Sequence, residues 1–139
     1  MSDVLSIETQ TGVVYRNPDA HIRSRHAYFP SIASLGGDEL LASYAVGEAF
    51  EAVDLRVQLS RSLDGGRTWQ EEGPLGVSGL AEGVSETVKM SSMGESPAGT
   101  AELAGLLQRH DRREFSGEGL TNPETLGFVP TRFEITRSK

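Results

Sequence analysis

The chain has 139 residues, a formal net charge of −7 and no cysteine, which excludes a disulfide framework or thiolate zinc site and disfavours nucleic acid, whose phosphates demand a basic face. No stretch approaches the roughly 20 apolar residues of a membrane helix, and the start, Met1-Ser2-Asp3-Val4-Leu5-Ser6-Ile7-Glu8, has neither a basic region nor an apolar run. No nucleic-acid or membrane partner is expected, and of the compartments a cytoplasmic one is favoured.

Residues 1–25 form an N-terminal segment in which Val4 to Thr9 and Gly12 to Tyr15 read as short strand-like pieces and Asn17-Pro18-Asp19 as a turn. His26 to Leu35 is a predicted strand whose Pro30 belongs at an edge or bulge, because it cannot donate to a ladder. Gly36-Gly37-Asp38 supplies the hairpin turn, and Glu39 to Val46 returns as an apolar strand. An acid-rich loop, Gly47 to Asp54, leads into Leu55-Arg56-Val57-Gln58-Leu59-Ser60-Arg61, where Val57 and Leu59 share one face and Arg56, Gln58 and Ser60 the other.

The next eight residues, Ser62-Leu63-Asp64-Gly65-Gly66-Arg67-Thr68-Trp69, read as a tight hairpin turn. Gly65 and Gly66 accept positive φ, and the Asp64 carboxylate can fold back onto the N–H groups of the turn. Thr68 and Trp69 are expected to open the return strand, running to about Glu72, with the indole capping the turn and its N–H finding an acceptor. The pattern Ser62, Asp64, Gly66, Thr68, Trp69 resembles the Asp-box, the bacterial neuraminidase repeat of the sialidase superfamily and of other β-propellers. The resemblance implies an all-β, sialidase-like propeller in which these five residues are a structural turn remote from the active site.

A Gly/Pro/Ser-rich linker, Gly73 to Gly83, precedes what reads as a second copy of the pattern. Ser85 to Met93 resembles a first strand, and Glu102 to Gln108 echoes the segment beginning at Glu39. Thr131 to Ser138 lies over Leu55 to Ser62 with apolar positions in phase. The competing reading makes Gly99 to Arg113 a helix, since Ala101, Leu103, Ala104, Leu106 and Leu107 are good helix formers. On the repeat reading, residues 26–73 are one complete four-stranded blade with its Asp-box and 84–139 most of a second. A six-bladed propeller needs roughly 40 to 50 residues or more per blade, so the chain reads as a propeller fragment, the N-terminal part. Two blades alone leave an apolar flank and open strand edges, and self-association through those edges is expected.

The resemblance also implies chemistry. Sialidases hold the substrate carboxylate with three arginines, protonate the leaving group with an Asp and attack with a Tyr assisted by a Glu. No cofactor is involved, and the partner is a carbohydrate. The loop corresponding to the family's acid is Gly47 to Asp54, which makes Asp54 the first candidate for general acid and Glu51 the second. Three neighbouring acids could raise such a pKa by mutual repulsion. The family's first arginine falls on Tyr28 here, in Ala27-Tyr28-Phe29-Pro30, a departure that Arg25 could offset from another direction. In the longer second loop Arg112 and Arg113 could reach an anionic sugar. The cations comprise 11 arginines against Lys89 and Lys139 alone. This fits an acidic ligand and equally fits genomic base composition. His110 beside Asp111 has no second ligand group at metal-site spacing, and no metal is expected. The remaining family residues would lie beyond Lys139, so the chain alone is expected to be inactive. The function implied is a sialidase-like exo-glycosidase; the alternative is a non-catalytic Asp-box module that binds glycan or protein.

Overall fold

The computed structural model describes residues 8–75, 86–95, 102–115 and 118–138. Most of the stretch Val4 to Thr9, the linker from residue 76 onward, Ser85 and residues 99–101 lie outside the described residues. Seven strands form two antiparallel sheets, and the described residues contain no helix. The first sheet is β1 (His26–Gly36), β2 (Glu39–Gly47), β3 (Arg56–Ser62) and β4 (Gln70–Leu75), in that spatial order. The second is β5 (Glu86–Glu95), β6 (Leu103–Asp111) and β7 (Thr131–Arg137), also in sequence order. The helical alternative is thereby overturned. Leu103, Gly105 and Leu107 are buried while Ala104 and Leu106 are only partly so, a two-residue period that suits a strand.

The two sheets share one register. Leu41 faces Arg61 and Tyr28 faces Ala45 in the first; Ala104 faces Arg137 and Lys89 faces Gln108 at the matching places in the second. Both first strands change register at the same point, between Tyr28 and Ser31 in β1 and between Met90 and Ser92 in β5, and β1 does so again between Ser34 and Gly36. Pro30 sits in the β1 irregularity on an edge strand, where its missing N–H breaks no ladder, and Phe29 beside it takes φ 53°. The pairing of Leu40 with Ser62 has its counterpart at Leu103 and Ser138. There the Leu103 N–H donates to Ser138 Oγ at 2.8 Å and the Ser138 N–H to Leu103 O at 3.0 Å.

Two expected boundaries move. The return strand begins at Gln70 rather than Thr68, because Thr68 and Trp69 spend their donors on the turn itself. Gly12 to Tyr15 is not a strand. It crosses the outer face of the first sheet, where the Tyr15 ring lies 5.7 Å from Tyr44, whose hydroxyl is bonded to Ser60 Oγ at 2.7 Å. Side-on packing of a tyrosine has replaced edge pairing.

The sheets pack face to face. Val57 meets Val88 and Leu107 in one buried cluster, and Ala33 and Leu41 meet Leu103 in another, with Met93 against both. β1 lies along β5, where the Met93 N–H donates to Ser31 Oγ at 2.9 Å, and the Val88 N–H donates to Leu55 O at 3.5 Å. Toward one end the contact becomes polar: the Arg56 guanidinium donates to the carbonyls of Val53, Leu55 and Glu86. The buried Glu86 carboxylate there accepts from Arg109 at 2.9 Å and Arg132 at 3.1 Å, and Glu134 ties the same two arginines together. Paired and hydrogen-bonded, these charges tolerate burial.

Candidate functional site

Among the described residues the tight β1–β2 and β3–β4 turns lie at one end of the sheets and the long β2–β3 and β6–β7 loops at the other. The tight end holds the β1–β2 turn, with Gly36 at φ 107° and Gly37 at φ 57°, and the β3–β4 turn, with Gly65 at φ 69° and Gly66 at φ 89°. The two are joined by a Gly65 N–H to Asp38 O bond of 2.8 Å.

Around Asp64 the Asp-box residues form a closed set of bonds. Ser62 Oγ donates to Asp64 Oδ1 at 2.8 Å and accepts from the Gly66 N–H at 2.8 Å. The Thr68 N–H donates to Asp64 Oδ1 at 2.9 Å, its hydroxyl to Oδ2 at 2.6 Å, and the Trp69 indole N–H to Gly66 O at 3.0 Å. Above all the Thr68 hydroxyl, then its N–H, hold the Asp64 carboxyl down at about 2, with Ser62 assisting. Every donor that could do chemistry here is committed to the turn. The side-chain uses expected from the sequence are the ones observed.

The loop end gathers the other candidates: the segment before β1, the β2–β3 loop, the start of β5 and the long β6–β7 connection. Asp54 Oδ1 accepts from the Glu48 N–H at 3.2 Å, and Arg25 Nη1 stands 3.8 Å from Oδ2. Oδ2 is buried and has no hydrogen-bond partner among the described residues. Arg23 pairs with Glu48 at 3.1 Å and Ser24 Oγ donates to the Glu48 carbonyl at 3.0 Å, so the approach to β1 is stitched to this loop. Two candidates distant in sequence, Arg25 and Asp54, are thus an ion pair.

Arg112 is buried and each of its three guanidinium nitrogens donates a hydrogen bond. Nε donates to Thr87 Oγ1 at 2.9 Å, Nη1 to Glu118 O at 2.8 Å and Nη2 to Glu51 O at 2.9 Å. It braces the two long loops against β5, and burial pushes its pKa below the usual arginine value, Glu51 partly countering. Glu51 contributes a carbonyl to this brace and a carboxylate that acts on Arg112 and Lys89. Arg113 points elsewhere: it is exposed and closes on Asp111, whose carboxyl it holds at about 2.

Two residues here, Lys89 and His110, have roles that were not read from the sequence. Lys89 holds Nζ 5.2 Å from the Phe29 ring centroid and 5.8 Å from that of Phe50. Burial depresses its pKa, Glu51 partly counters and Arg112 adds to the depression. In the shared register Lys89 stands where Tyr28 stands in the first sheet, so the repeat itself was the signal that could have found it. His110, weighed only as a metal ligand, is buried. The Thr131 hydroxyl donates to Val129 O at 2.9 Å and therefore accepts from His110 Nδ1–H at 3.0 Å. That leaves Nε2 as a buried lone pair with no partner among the described residues. Burial first, then Lys89 and Arg112, pull the His110 pKa down to about 4. Among the described residues no group of three His, Asp or Glu side chains gathers as a metal site.

Comparisons with protein-family models, with curated proteins and with solved structures found no significant match.

Proposed function

We propose that the two sheets are blades of an Asp-box β-propeller of the sialidase-like kind, and that the loop end is a carbohydrate site of an exo-glycosidase. The observation that carries this is the Arg25–Asp54 pair, with Asp54 Oδ2 buried and lacking a hydrogen bond beside a cation, at the end opposite the Asp-box. In this reading the anionic group of an acidic sugar draws Arg25 away from Asp54 and also faces Lys89, and Asp54, relieved of its cation, takes a proton on Oδ2 and passes it to the leaving glycosidic oxygen. Arg112 positions the loops. Two blades do not carry the nucleophile pair of such an enzyme, so the site is completed by further blades. The test is turnover of a panel of aryl glycosides with neutral and acidic sugars by the complete propeller, with every blade that the site needs. Loss of activity in Asp54→Asn at unchanged melting temperature supports the reading, and unchanged turnover removes Asp54 from the mechanism.

One observation favours a second reading, a module that binds glycan without cleaving it. Tyr28, in ring contact with His26 at 6.1 Å and Phe29 at 6.2 Å, replaces the arginine that the family uses, giving an aromatic platform instead of a carboxylate fork. Retention on a glycan array with no turnover of any aryl glycoside would select it.

A further inference from the structure

The shared register makes each position in one sheet the counterpart of a position in the other, and burial then differs in one telling place. In the first sheet Val57 faces Ala45, is 0 % exposed, and is sealed by Val88 and Leu107 of the second. Its counterpart in the second sheet is Phe133, which faces Gln108 and is 62 % exposed; the counterpart of Leu59 is Ile135, 68 % exposed. The outer face of the second sheet is therefore built like the face that the first sheet buries, yet nothing among the described residues covers these two side chains.

The complementary surface is also on the chain. The residues that receive Val57 in the second sheet are Val88 and Leu107, with Met93 packed beside them. Their register counterparts in the first sheet are Ala27, Tyr44 and Ile32. Ala27 and Ile32, with Tyr44 at the floor, 3 % exposed beneath Tyr15, line a groove of about 600 Å³ on the outer face of the first sheet, between it and the segment from Gly12 to Tyr15. Ile32 is 56 % exposed at its rim.

We propose that the outer face of the second sheet docks into this groove on a second copy of the chain, head to tail, repeating between molecules the packing that already joins the two sheets within one. Phe133 and Ile135 enter the groove against Ala27, Ile32 and the exposed Val13 of the crossing segment, whose Tyr15 covers Tyr44, in the place where Val57 packs on Val88 and Leu107. The interface is heterologous, since knob and groove lie on different sheets, and such interfaces propagate until they close. Propellers close at about four to eight sheets, which is two to four copies of a two-sheet chain. This inference does not depend on the glycosidase reading, because it uses neither the loop end nor any catalytic residue.

Sedimentation equilibrium and native mass spectrometry of the 139-residue chain test it. The expected species is a discrete closed oligomer of two to four copies. Phe133→Asp and Ile32→Asp should each abolish it with unchanged far-ultraviolet circular dichroism. Mixing the two variants is decisive: the first retains a working groove and the second a working knob, so together they form one intact junction and a heterodimer, whereas each alone stays monomeric. A wild-type chain that remains monomeric at 100-fold dilution and at its highest soluble concentration overturns the proposal, as does a mixture that fails to pair. A monomer whose Phe133 and Ile135 become protected only when further residues follow Lys139 would assign the face to the chain's own next sheet and equally overturn it.

Discussion

Ser62 is the hub of the β3–β4 turn, and its truncation gives a sharp measure of how firmly that turn is braced. Ser62→Ala removes the bond donated to Asp64 Oδ1 at 2.8 Å and deprives the Gly66 N–H of its acceptor at 2.8 Å, at a position 1 % exposed. A lost hydrogen bond costs about 1 kcal/mol net, and a buried N–H left without an acceptor about 1–3 kcal/mol. The expected total is about 2–3 kcal/mol, a fall of about 1–1.5 M in the urea midpoint for a domain with a slope near 2 kcal/mol/M. The structure supplies its own control in Ser43, equally buried, whose hydroxyl has no partner among the described residues. Ser43→Ala deletes an oxygen that satisfies nothing and should cost at most about 0.5 kcal/mol or stabilise the fold. Both are read by urea denaturation at one fixed protein concentration, since assembly would shift the midpoint. Equal effects of the two substitutions would refute the account of the turn as a hydrogen-bonded plug.

The other expectations concern charge, packing and the N-terminal segment. His110 titrates at about 4 in the fold against about 6.5 when unfolded, so the unfolded state takes up the proton first as pH falls. Stability should therefore decline between about pH 6.5 and 4, and His110→Gln should flatten that part of the curve. Asp64, held at about 2, contributes stability that is complete above its unfolded pKa and drains away from about pH 4 toward 2. Asp64→Asn should reduce this lower limb, which Asp111, also held at about 2, shares, and leave the histidine limb unchanged, a difference that acid titration followed by circular dichroism resolves. Glu86→Ala leaves Arg109 buried with half its partners and should destabilise by about 3 kcal/mol or more in the same urea assay. Gly12→Ala places a Cβ 2.0 Å from the Gly66 carbonyl oxygen, a backbone atom that cannot yield, so the segment must lift from the sheet. Tryptic cleavage at Arg16 and Arg23 should accelerate several-fold, and unchanged cleavage would mean the contact does not hold the segment.

How far the sequence could be read depended on the range of the interaction. Turns were legible because their determinants are neighbours: Gly37, Gly65 and Gly66 take the positive φ that they alone accept cheaply, and Asp64 reaches its partners within four residues. The strand repeat was legible because apolar period survives in single residues, and the overlay of Thr131 to Ser138 on Leu55 to Ser62 reappears as paired register. Gly12 to Tyr15 misled because a short β-branched and aromatic run marks burial on a face as readily as pairing at an edge, and Tyr15 chose the face.

The loop end shows the opposite regime. Arg25 and Arg112 looked alike as free cations, but folding puts one 3.8 Å from Asp54 and gives the other Thr87 and two carbonyls from loops far apart in the chain. Whether an arginine is open to a ligand depends on acceptors that arrive from elsewhere, and composition carries no trace of them. What the order of residues determined by itself was an all-strand chain, the place and chemistry of its tight turns, and a duplicated pattern. Which charges are spent holding the loops, that His110 ends with a buried lone pair, and that Phe133 stands bare where Val57 is sealed were decided only by tertiary structure, because burial is a property of a surface and its neighbour together.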